Sequence, residues 1–271
     1  MDARLQRRVQ RYGWDLAAAD YEALWHSQLA DAQTALLAAA VLRGGERVLD
    51  VACGTGLVSF AAAHAVGPAG DVLGVDLSGG MVDAARQHAV RRGVSNAAFV
   101  RMDAESLALP DASFDVALCA LGLMYVPDPE QALREMRRVL RPGGRLVVAV
   151  WGERARCGWA PLFEIVDAEV VSEVCPLFFR LGQRDALART CAATPLAVIR
   201  EQRIATTLVY ADADAACGAA FVGGPVALAW SRLDGEARER LRARYLESIA
   251  PWRDGQGYRV PGEFVVVSAQ A

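Results

Sequence analysis

The sequence predicts an α/β fold: a doubly wound, mostly parallel sheet with helices on both faces. Three observations carry that expectation. Between residues 46 and 151, short apolar runs rich in β-branched residues alternate with helical periodicity, as expected for buried parallel strands joined by crossover helices. The stretch Val48-Leu49-Asp50-Val51-Ala52-Cys53-Gly54-Thr55-Gly56 reads as a strand running directly into a glycine turn, followed by a helix over Leu57–Ala65. Carboxylates also stand at or just beyond the ends of three strands, as Asp50, Asp76 and Asp103, where a parallel sheet opens onto a crevice.

Residues 1–42 read as helices. Arg4, Arg7, Arg8 and Arg11 share one helical face, expected to be solvated rather than to bind RNA. Trp14, Tyr21 and Trp25 follow at spacings of seven and four and share another face. These aromatics either pack on the main domain or cover its crevice, and His26 adjoins them. Gly44-Gly45 ends the helix through Ala35–Leu42. The second strand is Asp71–Asp76, and Ser78 can cap the helix containing Met81–Arg91. His64 and His88 fall in crossover helices as packing or surface residues. Strand three, Ala97–Arg101, leads into Met102-Asp103-Ala104. A turn at Leu109–Asp115 enters strand four, Phe114–Ala120, and Leu121–Tyr125 sits at its carboxyl end. Asp128-Pro129-Glu130 starts a helix to Leu140, Arg141-Pro142-Gly143-Gly144-Arg145 is a tight turn, and Leu146–Trp151 is strand five.

Beyond Trp151 the pattern is less regular. An amphipathic helix is expected from Trp159 to Glu173, and strand signals over Ala197–Ile199 and Ile204–Tyr210. Residues 211–250 are alanine-rich and helical, broken at Gly223-Gly224-Pro225, and a final strand is expected at Glu263–Val267.

With 54% hydrophobic residues, the 271-residue chain has material for a full core. A net charge of −3 offers no pull toward nucleic acid or anionic lipid. Six cysteines (53, 119, 157, 175, 191, 217) include no Cys-x-x-Cys pair, and there are three histidines, so no zinc site or disulfide framework is expected. The start lacks a signal peptide's apolar core, and no stretch approaches the ~18 apolar residues of a span. The expectation is a cytoplasmic protein, monomer or homodimer, with no nucleic-acid or membrane partner.

The turn Asp50-Val51-Ala52-Cys53-Gly54-Thr55-Gly56 resembles motif I of the class I S-adenosylmethionine (SAM) methyltransferases. The carboxylate four residues before the first glycine sharpens the likeness. It would repel a pyrophosphate lying over such a turn, whereas SAM carries an α-ammonium and a sulfonium. Asp76, twenty residues past Gly56, suits a ribose diol. Phe114-Asp115, Val126-Pro127-Asp128-Pro129 and Val139-Leu140-Arg141-Pro142-Gly143-Gly144 are similar to the ubiquinone/menaquinone-methyltransferase-like group. The Asn-rich signature and extended Pro-Gly-Gly signature of the quinone enzymes proper are absent. The likeness therefore reaches the broad group and not quinone methylation.

The resemblance implies a Rossmann-like, seven-stranded sheet whose antiparallel last strand lies between strands five and six. It divides the chain into an N-terminal helical lid, residues 1–42, and a methyltransferase domain, 43–271, whose 211–250 insertion forms a second lid. It implies SAM as cofactor, S-adenosylhomocysteine as product and no metal. The cofactor would be held by Asp50, Ala52, Cys53, Gly54, Gly56, Asp76, Leu77, Met81, Asp103, Ala104, Ala120 and Leu121. Asp103 is implied for the adenine amino group. Trp14, Tyr21, Trp25 and Tyr125 would face a small, apolar or aromatic acceptor, and His26 and Tyr125 are the candidate bases.

Methyl transfer to a small metabolite is the leading reading, because SAM brings its own leaving group and the protein need mainly align reactants and exclude water. A nicotinamide oxidoreductase is opposed by Asp50, by Ser59 where a third glycine belongs and by the late-strand layout. A SAM-binding protein of the same fold that catalyses another reaction, or none, is the alternative; methylation of a quinone or a macromolecule ranks below both.

Overall fold

The computed structural model describes residues 2–170 and 178–271. Its strands are β1 (Arg47–Val51), β2 (Asp71–Asp76), β3 (Ala97–Arg101), β4 (Phe114–Ala120), β5 (Leu140–Trp151), β6 (Ala197–Tyr210), β7 (Arg253–Asp254) and β8 (Gly257–Gln270). The sheet order is β3-β2-β1-β4-β5-β8-β6, with β7 paired to β8. β1 to β5 are parallel, while β8 runs antiparallel to both β5 and β6. The inserted last strand thus stands where the resemblance puts it. Strand order reverses between β1 and β4, so the crevice beyond their carboxyl ends is where an open α/β sheet takes a ligand.

The helices are α1 (Ala3–Ala17), α2 (Tyr21–Trp25), α3 (Ala30–Ala40), α4 (Leu57–Val66), α5 (Gly79–Arg92), α6 (Pro129–Val139), α7 (Pro161–Asp167), α8 (Ala186–Ala192), α9 (Ala213–Cys217), α10 (Ala227–Ser231) and α11 (Gly235–Ile249). Alternation along the strands makes two cores. Val116 and Leu118 of β4 and Val147 and Ala149 of β5 pack with α3 and α4. Ala117, Cys119, Leu146, Val148 and Val150 point the other way, toward α6. Ser78 caps α5 by accepting from Met81 N at 3.1 Å.

Several elements depart from expectation. Pairing with β4 jumps from Phe114–Leu140 to Val116–Arg145, so residues 141–144 bulge out and β5 already begins at Leu140. The two signals around residue 200 form one strand, β6, because β8 supplies partners along its whole length. β8 is itself longer than the expected core, and β7 was not foreseen. The expected Trp159–Glu173 helix is α7 over Pro161–Asp167, opened by a proline in its first turn; residues 171–173 lie outside the described ones. α3 lies on the sheet against β4, β5 and β8. Within the expected 1–42 segment, α1 and α2 contribute Arg7, Gln10, Trp14 and Tyr21 to the wall of the crevice, and α3 reaches its floor with Gln33.

Candidate functional site

The loops after β1 and β4 press together at the reversal point. Ala52 and Leu121 hold left-handed backbone, φ 56° and 62°, unusual for residues with side chains. Gly122 is required there, since a Cβ on it would meet the Ala52 Cβ at 2.3 Å. Gly56, φ +91°, closes the turn beneath Phe60.

Above these loops lies a cleft whose empty space, counted out to its solvent-open mouth, is about 750 Å³. Ala52, Gly54, Asp76, Leu77, Met81, Asp103, Ala104, Ala120 and Leu121, all named from the sequence, line it. Cys53 and Asp50 line a small adjoining recess with Ala52 and Leu121. Gly56 lines neither and shapes the turn instead.

Asp50 is 1% exposed, and its Oδ2 accepts from Ser59 Oγ at 2.5 Å. Its Oδ1 is buried with no protein partner. Burial raises its pKa to about 7, helped by the Asp76 charge and opposed by the Ser59 hydrogen bond. A carboxylate with one lone oxygen in a recess fits a cationic ligand group, as the α-ammonium of SAM is. Asp76 accepts from Gly54 N and Ser78 N, both at 2.9 Å. Burial also raises its pKa, to about 6, against those two amide hydrogen bonds. It thus ties the β1 loop to the β2 loop while lining the cavity, and each oxygen keeps a lone pair for a diol. Asp103 Oδ1 accepts from Glu105 N at 2.9 Å, and Oδ2 lies 3.1 Å from Arg7 Nε.

Arg7 corrects the reading of its helical stripe. Arg4 and Arg8 are exposed, but Arg7 reaches the buried Glu105, 2.6 Å away, and lines the cavity. Two further carboxylates fix the N-terminal helices. Asp15 accepts from Ser78 Oγ at 2.6 Å and Gly80 N at 3.0 Å, and Glu22 pairs with His88 at 2.7 Å and Arg92 at 2.5 Å. His88 is thus a clasp residue. His26 is exposed at the end of α2 and lines none of the cavities, so the geometry withdraws it as a base.

A second chamber of about 520 Å³ adjoins the first. Trp14, Tyr21, Leu121 and Tyr125 belong to both walls. Trp25 and Leu29 come from the N-terminal segment, Trp151 from the end of β5, and Trp159, Leu162 and Phe178 from the following connection. Tyr210, Ala220, Gly224, Pro225 and Tyr245 complete it from the late part of the chain. Trp14 meets Tyr21 and Tyr125 edge-on at 5.8 and 5.1 Å. Among the described residues, no Asp, Glu, Lys, Arg or His lines the chamber. Sequence reasoning missed Trp151 and Trp159; Trp151 carried a usable signal, being the last residue of a central strand.

This arrangement defines the class: a carboxylate-lined cleft at the reversal of a doubly wound sheet, backed by an apolar second chamber. Residues 49–148 match the family model described as "Methyltransferase domain". The chain is 36% identical over 189 residues to the ubiquinone/menaquinone biosynthesis C-methyltransferase UbiE of Pseudomonas paraeruginosa, covering 69% of this chain and 72% of that protein. Against the corresponding protein of Ectopseudomonas mendocina the match is 47% over 108 residues, 40% of this chain and 42% of that one. The YcgJ protein of Bacillus subtilis shares the fold at 21% identity and TM-score 0.60, over 89% of this chain and 98% of that one. So does the [4+2]-cyclase SpnF, at 23% identity and TM-score 0.57, over 88% and 78%. The chain belongs to the class I SAM-dependent methyltransferases, in the UbiE-like group. No helix among the described residues is long and apolar enough to cross a membrane.

Proposed function

We propose that the protein transfers the SAM methyl group to a small, neutral, apolar or aromatic molecule held in the second chamber. The observation that carries this reading is the shared wall: Trp14, Tyr21, Leu121 and Tyr125 border both cavities, so a donor in one and an acceptor in the other meet there. SAM supplies an activated methyl on a sulfonium. Asp50 holds the ammonium end, and Asp76 the ribose. Asp103 and Ala104 border the adenine end. The aromatic wall excludes water and orients the acceptor, the two contributions that proximity catalysis needs. Tyr125 borders both cavities and positions the acceptor where they meet. The names of the UbiE relatives make a quinone-type ring one acceptor that such a chamber suits.

The test is incubation with methyl-labelled SAM and fractionated metabolites. Label is expected in a neutral, solvent-extractable product. Label only in protein or RNA, or tighter calorimetric binding of NADH than of SAM, would overturn the proposal. A second reading, SAM binding without methyl transfer, is favoured by the lack of a carboxylate or histidine base among the chamber's described residues; it predicts bound SAM and no labelled product.

Residues 2–29 and 211–250 act in this scheme as lids. Amide exchange in both is expected to slow in the complex with S-adenosylhomocysteine and product relative to the free protein. Equal protection in the two states would make them static walls.

A further inference from the structure

Most buried polar side-chain atoms in a folded protein have a hydrogen-bond partner, and each exception asks for a reason. Among the described residues, two such exceptions are the indole Nε1 atoms of Trp25 and Trp159, both buried and without a partner. The two side chains are 7% and 3% exposed. Trp14 shows the contrast: its Nε1 donates to Gln10 Oε1 at 3.1 Å. Trp25 and Trp159 come from distant parts of the chain and converge on Trp151, with ring centroids 6.3 and 4.8 Å from it. All three rings wall the second chamber.

An indole N–H is a donor only. Leaving it buried and unmade carries a desolvation penalty, which a bound molecule removes by offering a lone pair. The chamber's described walls carry no countercharge, so a carboxylate, phosphate or ammonium would be desolvated there without compensation. A hydrocarbon would fill the space and leave both donors orphaned.

We infer that Trp25 and Trp159 form a hydrogen-bonding subsite of the acceptor chamber, selecting neutral apolar molecules that carry a carbonyl or similar oxygen. The subsite deepens the proposed function, resting on its assignment of the second chamber to the acceptor. Trp25 and Trp159 are positioning residues; the transferred methyl crosses at the Trp14–Tyr125 wall.

The experiment uses the full chain with S-adenosylhomocysteine and three probes of similar size: 1-tetralone, its hydrocarbon counterpart tetralin, and 1-naphthoate. Two-dimensional ¹⁵N–¹H spectra resolve the indole N–H groups of the six tryptophans. 1-Tetralone is expected to move the Trp25 or Trp159 N–H proton downfield, the mark of a new hydrogen bond, and tetralin is not. The ketone should bind about tenfold more tightly than the hydrocarbon, and naphthoate more weakly than both. Trp159→Phe and Trp25→Phe keep an aromatic ring and remove the donor. In at least one of them the ketone's advantage should fall to within about twofold, with tetralin affinity little changed. Equal ketone and hydrocarbon binding, with neither N–H shifted downfield, would overturn the inference while leaving the chamber as the acceptor site. If no probe perturbs any chamber tryptophan although S-adenosylhomocysteine is bound, the chamber assignment fails together with the subsite.

Discussion

Asp50→Asn is expected to weaken SAM and S-adenosylhomocysteine binding by about a hundredfold, while leaving the ligand-free protein as stable as before or more so. The opposite signs follow from one geometry. Asp50 is buried, with Oδ1 unpartnered and Oδ2 taken by Ser59. Without a cation the charge is a burden, which is why its pKa stands near 7. Opposite an ammonium the same charge is worth roughly 3 kcal/mol, the cost of removing one partner from a buried pair. The pH dependence has a definite sign. A carboxyl raised to about 7 when folded binds more protons than the unfolded chain between pH ~4 and ~7, so ligand-free stability falls as pH rises through that window. Affinity for S-adenosylhomocysteine should instead rise, by about tenfold or more between pH 5.5 and 7.5, because its ammonium requires the ionised carboxylate. Thermal melts and calorimetry across that range check both. An Asn variant with undiminished affinity, or a wild-type affinity flat with pH, would sink the assignment.

How much of this was legible in the sequence depends on the range of the interaction. Strands β3 and β4 begin and end at the expected residues, because short apolar runs bounded by turns fix them locally. The carboxylates at Asp50, Asp76 and Asp103 were legible because charge is out of place in a buried sheet except at its open end. Arg7 was not. Its helical stripe reads as a solvated face, and only the fold brings Glu105 to 2.6 Å of it. His26 was misplaced for a related reason: adjacency to Trp25 in sequence says nothing about which side of a five-residue helix faces the cavity. The second chamber is hidden most deeply. The aromatic face at Trp14, Tyr21 and Trp25 was visible from its helical spacing, but Trp151, Trp159 and Tyr245 look like ordinary core residues one at a time, and only their meeting point distinguishes them.

Asp76→Ala should weaken SAM binding by about 1.5–3 kcal/mol, roughly 10–150-fold, the range for lost hydrogen bonds to a charged group. Two effects are combined in that number. In the proposed scheme the carboxylate accepts from the ribose diol, and it also accepts from Gly54 N and Ser78 N, holding the β1 and β2 loops in register. A loss of affinity alone would not separate recognition from loop order. A ligand cycle does. In the wild type, the 2′-deoxy analogue of S-adenosylhomocysteine, lacking one hydroxyl, should bind about tenfold more weakly than the parent. In Asp76→Ala the parent and the analogue should bind within about twofold of each other, because the group that read the hydroxyl is gone. If the analogue penalty persists undiminished in the variant, Asp76 serves the loops only and another residue reads the ribose.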